Sequence, residues 1–495
     1  MVRPSLATGV LATAAVLIVL YAGLCKALLF HDLEYFHTDF FSFLEMSRSF
    51  LQSGELLRDN AYGRNAAIHN FYLLLAFSPL TIPFGAYGLI LGLVLLHVVA
   101  VLRLALAATL DLPGRVAVLG GYLSPIAYAV FDNSVVGFHP ELCYPPLALL
   151  LALDLREGKS RRAILVAALV VLVKEDGAVL CASVLIAFFA PRLWALRTAP
   201  PEERRPVTAA AVRSLLAVTL AFAAGIALLW VMGRTLAQPQ TTAEVRVLDS
   251  LRNVTHAIAG RGLLRENLQW GLVGYFVVAV LTLLPLARRL FRGLALLLVS
   301  SPLLVTVLVV ASGTYRFRYM LWPHRLAALQ ALGVACLVFA SPTSACAGRL
   351  GRATARVVAL LALSWALQLL VLDRAEGYSP WARLQAHALL KGDGTRAARL
   401  PPEELRFLRC LGERLPPGLP VSVFGDMHPA LHRQSVVFEA LEAHAWHPPR
   451  LRVVPSSSMR RDPGACRDPG VGTIAVETEC ELLPLVASCR PRAAP

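Results

Sequence analysis

Apolar runs of 14 to 25 residues alternate along the chain with short polar segments, many of them rich in arginine. The run 6–30 is long enough to cross a ~30 Å hydrocarbon core as a helix. Similar runs follow at 86–103, 115–131, 142–155, 214–231, 270–287, 293–311, 326–340 and 357–372. The segment 69–84, HNFYLLLAFSPLTIPF, is apolar but short and is broken by Pro79 and Pro83, so it reads as re-entrant or interfacial. The run 163–190, AILVAALVVLVKEDGAVLCASVLIAFFA, carries Lys174, Glu175 and Asp176 at its middle. Charges at the centre of a bilayer cost about 2.5 to 3.5 kcal/mol each on insertion scales, so they belong to a functional or protein-lined position.

Loop charge decides how that run is placed. Arg156, Lys159, Arg161 and Arg162 precede it, and Arg192, Arg197, Arg204, Arg205 and Arg213 follow it. One tilted helix would put these basic loops on opposite faces of the membrane. Two short helices in a hairpin put both in the cytoplasm, as loop charge bias favours, with the KED triplet at the tip. Each limb then rises only ~16 Å, so the tip sits in a protein-lined cavity. The resulting expectation is an all-α polytopic membrane protein with about eleven spans over residues 1–372. Its outer face gathers the loop 31–67, the turn DNSVVGFHPE, the hairpin tip and the segment GTYRFRYMLWPHR. Residues 373–495 form a small outer α/β domain, in which VSVFG and RLRVV read as strands and PPEELRFLRCLGERL as an amphipathic helix.

Composition agrees with this class: 57% of the 495 residues are hydrophobic and 16% are charged. A net charge of +15 would suit nucleic acid, but the arginines concentrate in short loops between apolar runs, which is a topology signal. Of the nine cysteines, Cys410, Cys466, Cys480 and Cys489 fall in the tail. Four thiols in an extracytoplasmic domain fit up to two disulfides, with the pairing open. Cys25, Cys143, Cys181, Cys336 and Cys346 lie in or beside apolar runs.

The polar residues that converge on the outer face are His37 and Asp39 after the first span, His69, His139 and Glu141 in FHPE, Lys174 to Asp176, and Arg316, Arg318, His324 and Arg325. No Walker A loop, G-x-S-x-G elbow or H-E-x-x-H helix occurs. Carboxylates, imidazoles and guanidinium groups at an interface suit chemistry on a lipid-linked phosphate. Sugar transfer from a polyprenyl phosphate needs a carboxylate to deprotonate the acceptor hydroxyl and cations to hold the leaving phosphate. Asp39 is the candidate base, Glu141 a second catalytic carboxylate, and Arg316 and Arg318 candidate phosphate ligands. The structural alternatives are a helix cap for Asp39, an ion-paired tip for the triplet and lipid-facing arginines. A transporter or flippase of lipid-linked substrates is the main alternative function, since broken helices line transport sites. A third is an assembly protein that works through its tail.

The segments HTDFFSFLEMSRSFLQSGEL, AIHNFYLLLAFSPLTIPFG, FHPE, VKEDGAVL and GLPVSVFGDMHPALHRQSVVFEAL, in this order, resemble a family of bacterial multi-pass membrane proteins known as domain of unknown function two-thousand-and-seventy-nine. That family looks like a branch of the GT-C glycosyltransferase superfamily. The resemblance implies a plasma-membrane enzyme with a polyprenyl-phosphate donor and a carboxylate in the first outer loop, which is Asp39 here. A divalent metal is compatible with it. The sequence has a lone Asp-Phe at that position where several GT-C enzymes have paired acids.

Overall fold

A computed structural model describes residues 6–31, 35, 38–54, 56–57, 71–134, 136–174, 176–235, 277–312, 323–341, 350–376, 401–423, 430–438, 448–456 and 465–490. It is mostly helical, with a small C-terminal sheet. Among the described residues, four helical stretches are long and apolar enough to cross a membrane: α1 (Leu6–His31), α4 (Ala86–Ala105), α9 (Asp176–Ala195) and Arg352–Asp373. α5 (Leu112–Tyr122) and α6 (Pro125–Asp132) make a fifth if they count as one span, bent by 44°. The bend has a local cause. Ser124 caps a new helix by accepting the Ala127 N–H, and Pro125 occupies its first position.

The expectation of about eleven spans therefore reduces to four or five among the described residues. Other expected spans are counted only over their described apolar stretches, Val277–Leu286, Leu290–Val305 and Leu326–Ala340, the last two lying within helices of 23 and 18 residues. α7 (Tyr144–Arg156) has 13 residues and rises only ~20 Å. The expected run 214–231 lies inside the 35-residue α10 (Pro201–Thr235), and residues 270–276 of the run 270–287 fall outside the described residues. The remaining helices are α2 (Thr38–Ser53), α3 (Ser78–Phe84), α8 (Ser160–Val173), α11 (Leu290–Ser312), α12 (Pro323–Ala340) and α13 (Leu350–Glu376). A 3-10 turn, Tyr72–Phe77, runs straight into α3, so the Pro-broken segment is a short kinked unit.

α7 is the axis of the bundle. It packs on α4, α8, α9 and α12, and nearly every side chain from Tyr144 to Asp154 is buried. Arg103 at the end of α4 reaches Asp154 at 3.1 Å and Glu157 at 2.5 Å, tying the two helix ends together.

The tail folds as expected into an α/β unit. α14 (Pro402–Arg414) buries Phe407, Leu408 and Leu411 against a five-stranded sheet of order β2-β1-β3-β5-β4. The strands are β1 (Pro420–Val423), β2 (Ser435–Phe438), β3 (Leu451–Pro455), β4 (Cys466–Val471) and β5 (Ile474–Thr478). β1 runs parallel to both neighbours, and β5 pairs antiparallel with β3 and β4. The four tail thiols pair as Cys410–Cys489 and Cys466–Cys480. Cys25, Cys143, Cys181 and Cys336 are free and buried, and Cys346 lies outside the described residues.

This domain docks on the ends of α1, α2 and α4. Arg48 donates to the carbonyls of Gln434 (2.7 Å) and His432 (3.5 Å), and Arg409 donates to the carbonyl of His31 (2.5 Å). The His432 ring accepts the Ala86 N–H at 3.3 Å between the rings of Phe30 and Tyr87. Burial lowers the His432 pKa to about 4, with the charges of Arg433 and Arg48 adding to the effect. A freed His432 titrates near its ordinary value of about 6.5, so below that pH the undocked state binds more protons and is favoured. Docking is thus at full strength above pH 6.5 and weakens by about 1 kcal/mol per unit as the pH falls towards 4. Protease accessibility of the tail between pH 4 and 8 will follow this curve, and His432→Gln will flatten it. An unchanged slope in that variant removes His432 as the cause.

Candidate functional site

The turn before α7 builds the centre of the site. Pro140 holds the preceding residue out of the helical region, and His139 is extended at φ −148°, ψ 141°. A 3-10 turn, Pro140–Cys143, then feeds α7. Glu141 lies in that first turn, where backbone N–H groups and the positive end of the helix dipole favour an anion. It is 3% exposed. His139 Nδ1 bonds one Glu141 carboxylate oxygen, and Lys174 Nζ donates to the other at 2.7 Å.

Lys174 arrives from the hairpin. α8 stops at Val173, Lys174 is extended, and α9 begins at Asp176, so the charged triplet interrupts the helix. The Gly177 N–H closes the turn on the Lys174 carbonyl at 2.9 Å. A Cβ at Gly177 would lie 2.1 Å from the Val170 carbonyl oxygen, so only glycine permits this close approach of α8 and α9. The Tyr144 hydroxyl donates to the Asp176 carboxylate, which fastens the tip to the top of α7. The second limb is longer than expected. With 20 residues α9 reaches the length of a full span, whereas α8 has 14.

α2 covers the site. The Phe43 ring stands edge-on to His139 at 4.6 Å, and Phe71 does so at 6.1 Å. Phe40 and Phe43 each lie 6.3 Å from Phe138. Asp39 is half-buried one turn before Phe43, on the same side of α2.

A buried lysine fixes the loop between α6 and His139. Lys26 Nζ donates to the carbonyls of Phe131 (2.7 Å) and Asp132 (2.6 Å), where α6 ends and its carbonyls lack helical partners. The Tyr35 hydroxyl donates to Asp132 at 2.5 Å. The Tyr35 ring also occupies the space of a Cβ at Gly137, whose φ of +78° favours glycine. Tyr35 precedes Asp39 by four residues, so these contacts join the segment carrying Asp39 to the loop carrying His139.

Of the residues singled out in the sequence, the structure unites His139, Glu141 and Lys174 directly. It joins Asp176 to them through Tyr144 and α7, and α2, which carries Asp39, meets His139 through Phe43. His37, His69, Glu175, Arg316 and Arg318 lie outside the described residues. His324 and Arg325 fall in the first turn of α12, with side chains outside the described set. Sequence reasoning passed over Lys26, Tyr35, Asp132 and Tyr144. Lys26 had a signal of the same kind as the triplet, a charge inside the apolar run AGLCKALLF.

The arrangement offers a carboxylate held between a lysine and an imidazole, an aromatic wall, and a second carboxylate at the start of the covering helix. Among the described residues, no group of three or more His, Cys, Asp or Glu could hold a metal ion. No curated protein matches the chain significantly. Residues 40–387 match a family described as predicted membrane protein (DUF2079), a stretch that begins one residue after Asp39 and carries the rest of α2, His139, Glu141 and the hairpin. Over most of its length, then, the chain belongs to this membrane protein family.

Proposed function

We propose that the protein transfers a glycosyl unit from a polyprenyl-phosphate donor to a cell-envelope acceptor at the outer face of the bacterial inner membrane. The observation that carries the reading is the meeting of α2, with Asp39 one turn before Phe43, and the ring of His139, whose partner Glu141 is held by Lys174. Asp39 deprotonates the acceptor hydroxyl. Lys174, freed from Glu141 as donor phosphate enters, holds the leaving group, and Arg316, Arg318, His324 and Arg325 add positive charge. A phosphate leaves without a strong general acid, so Glu141 serves to hold Lys174 and His139 until substrate arrives. The resemblance to GT-C glycosyltransferases supports the same reading.

The orientation rests on two observations. Two disulfides in the tail suit an oxidising compartment. Arg103, Arg156, Arg162 and Arg192 stand at the opposite ends of α4, α7, α8 and α9 from the site, as loop charge bias expects of the cytoplasmic face.

The helix break at a charged tip favours one competing reading, transport of a lipid-linked substrate. Reconstituted membranes separate the two. Asp39→Asn will abolish sugar transfer while leaving the yield of folded protein and the movement of lipid-linked sugar across the bilayer unchanged. Transfer at the wild-type rate would exclude Asp39 as the base. Loss of lipid movement without any transfer activity in the wild type would favour the transporter.

A further inference from the structure

A second constellation lies at the far end of the helices that carry the site. α7 and α9 begin at Tyr144 and Asp176 and end at Arg156 and in the turn holding Arg192. Arg156 is anchored by the carbonyls of Thr109 and Ser341, both at 3.0 Å, and of Val338. Next to Val338, the Phe339 ring lies 5.5 Å from Phe188, and the Arg192 guanidinium stacks on the other partner of that pair, 3.6 Å from the Phe188 centroid. Arg156 and Arg192 thus flank the end of α12. The 3-10 turn Leu284–Arg289 and the start of α11, which packs on α9, bring Arg289 and Arg292 to the same place. The charges of Arg292, Arg289 and Arg192 all bear on Arg156, and that of Arg292 bears on Arg192 as well.

Four guanidinium groups from four elements concentrate positive charge at one place, which attracts an anion. Asp111, whose charge acts on Arg156, is engaged as the cap of α5, accepting the Gly114 N–H at 2.8 Å. Arg192, Arg289 and Arg292 are exposed. Beside them stand Trp194 and Phe291, 68% and 81% exposed, at the ends of apolar helices where acyl chains meet head groups. Guanidinium groups match phosphate geometry with paired hydrogen bonds. Flanking exposed aromatics favour a phosphate that carries acyl chains over a free ion.

We propose that the cluster of Arg156, Arg192, Arg289 and Arg292 binds the phosphodiester headgroup of an anionic phospholipid, in the leaflet opposite the His139 site. Arg156 forms the rigid floor, and the other three close on the phosphate from the surface. This reading is independent of the proposed chemistry at Glu141.

Native mass spectrometry of the full chain in a neutral detergent tests it, with phosphatidylglycerol, phosphatidylcholine and inorganic phosphate as separate probes. Phosphatidylglycerol is expected to be retained at least about 10-fold better than phosphatidylcholine. Arg192→Gln with Arg292→Gln is expected to weaken its retention about 30-fold, since each basic side chain near the surface contributes about a factor of five. Arg204→Gln with Arg205→Gln removes the same charge from the exposed start of α10 and is expected to change little. Arg192→Lys with Arg292→Lys keeps the charge and is expected to retain the lipid preference. Equal retention of the two lipids, equal losses in the two glutamine pairs, or inorganic phosphate binding as tightly as the lipid would each overturn the proposal.

Discussion

Lys174→Met will destabilise the folded protein by about 3 kcal/mol, and adding Glu141→Gln will recover most of that loss. Glu141 is 3% exposed and accepts from Lys174 Nζ at 2.7 Å. Removing the lysine leaves a buried carboxylate with His139 as its ionisable partner among the described residues. Losing one member of a buried pair costs about 3 to 5 kcal/mol, because the remaining charge keeps its desolvation penalty without its partner. The lower figure applies here, since Lys174 is 18% exposed and His139 can carry a proton. A neutral amide in place of the Glu141 carboxylate has no charge to strand, so the double variant will lie within about 1 kcal/mol of the wild type. Reversible unfolding in mixed micelles measures both single variants and the double. Strictly additive losses would mean that the two side chains do not depend on each other.

Removing Cys410–Cys489 will cost the tail domain more than removing Cys466–Cys480. The first bond closes 79 residues and the second 14. Restriction of the unfolded chain gives about 4.5 and about 3 kcal/mol respectively. The longer bridge also ties α14 to the C-terminal segment, whereas the shorter one joins β4 to the turn just after its own partner β5. Denaturant unfolding of the two alanine pairs, followed by hydrogen exchange of β1, β3 and β5, will rank them. The reverse order would show that local strain or residual structure outweighs chain entropy. The His432 ring is held by Ala86, Phe30 and Tyr87 and by neither bond, so the pH dependence of docking will survive in either pair wherever the sheet stays folded.

The local parts of the site were legible because their causes are local. Pro140 dictates an extended His139, and three consecutive charges followed by glycine end α8 and start α9. Lys26 was missed although it is a charge in an apolar run. Its role depends on the frayed carbonyls of α6, more than a hundred residues later, and no pattern of neighbours announces such a partner. Span number among the described residues falls below the expected eleven for a related reason. Hydropathy measures the length of an apolar run, but Ser124 and Pro125 cap, bend and restart the helix within the run 115–131. Conversely, the run 163–190 contains one limb of full spanning length and one short limb, because the apolar stretch continues through Pro191 to Ala195.

The sequence by itself determined that this chain is a membrane protein, because its apolar fraction exceeds what a soluble surface can cover and its arginines mark one set of loops. It also determined where the helices break and that the tail is a separate, cystine-capable α/β unit. Those properties follow from hydropathy, charge and backbone preference, which act within a few residues. The tertiary structure alone decided that Glu141 pairs with Lys174, that Phe43 lays α2 over His139, that Cys410 pairs with Cys489, and that four arginines meet at the other end of α7 and α9. Each of those contacts joins segments far apart in the chain. Their partners are chosen by how the helices pack around α7, which no local pattern encodes.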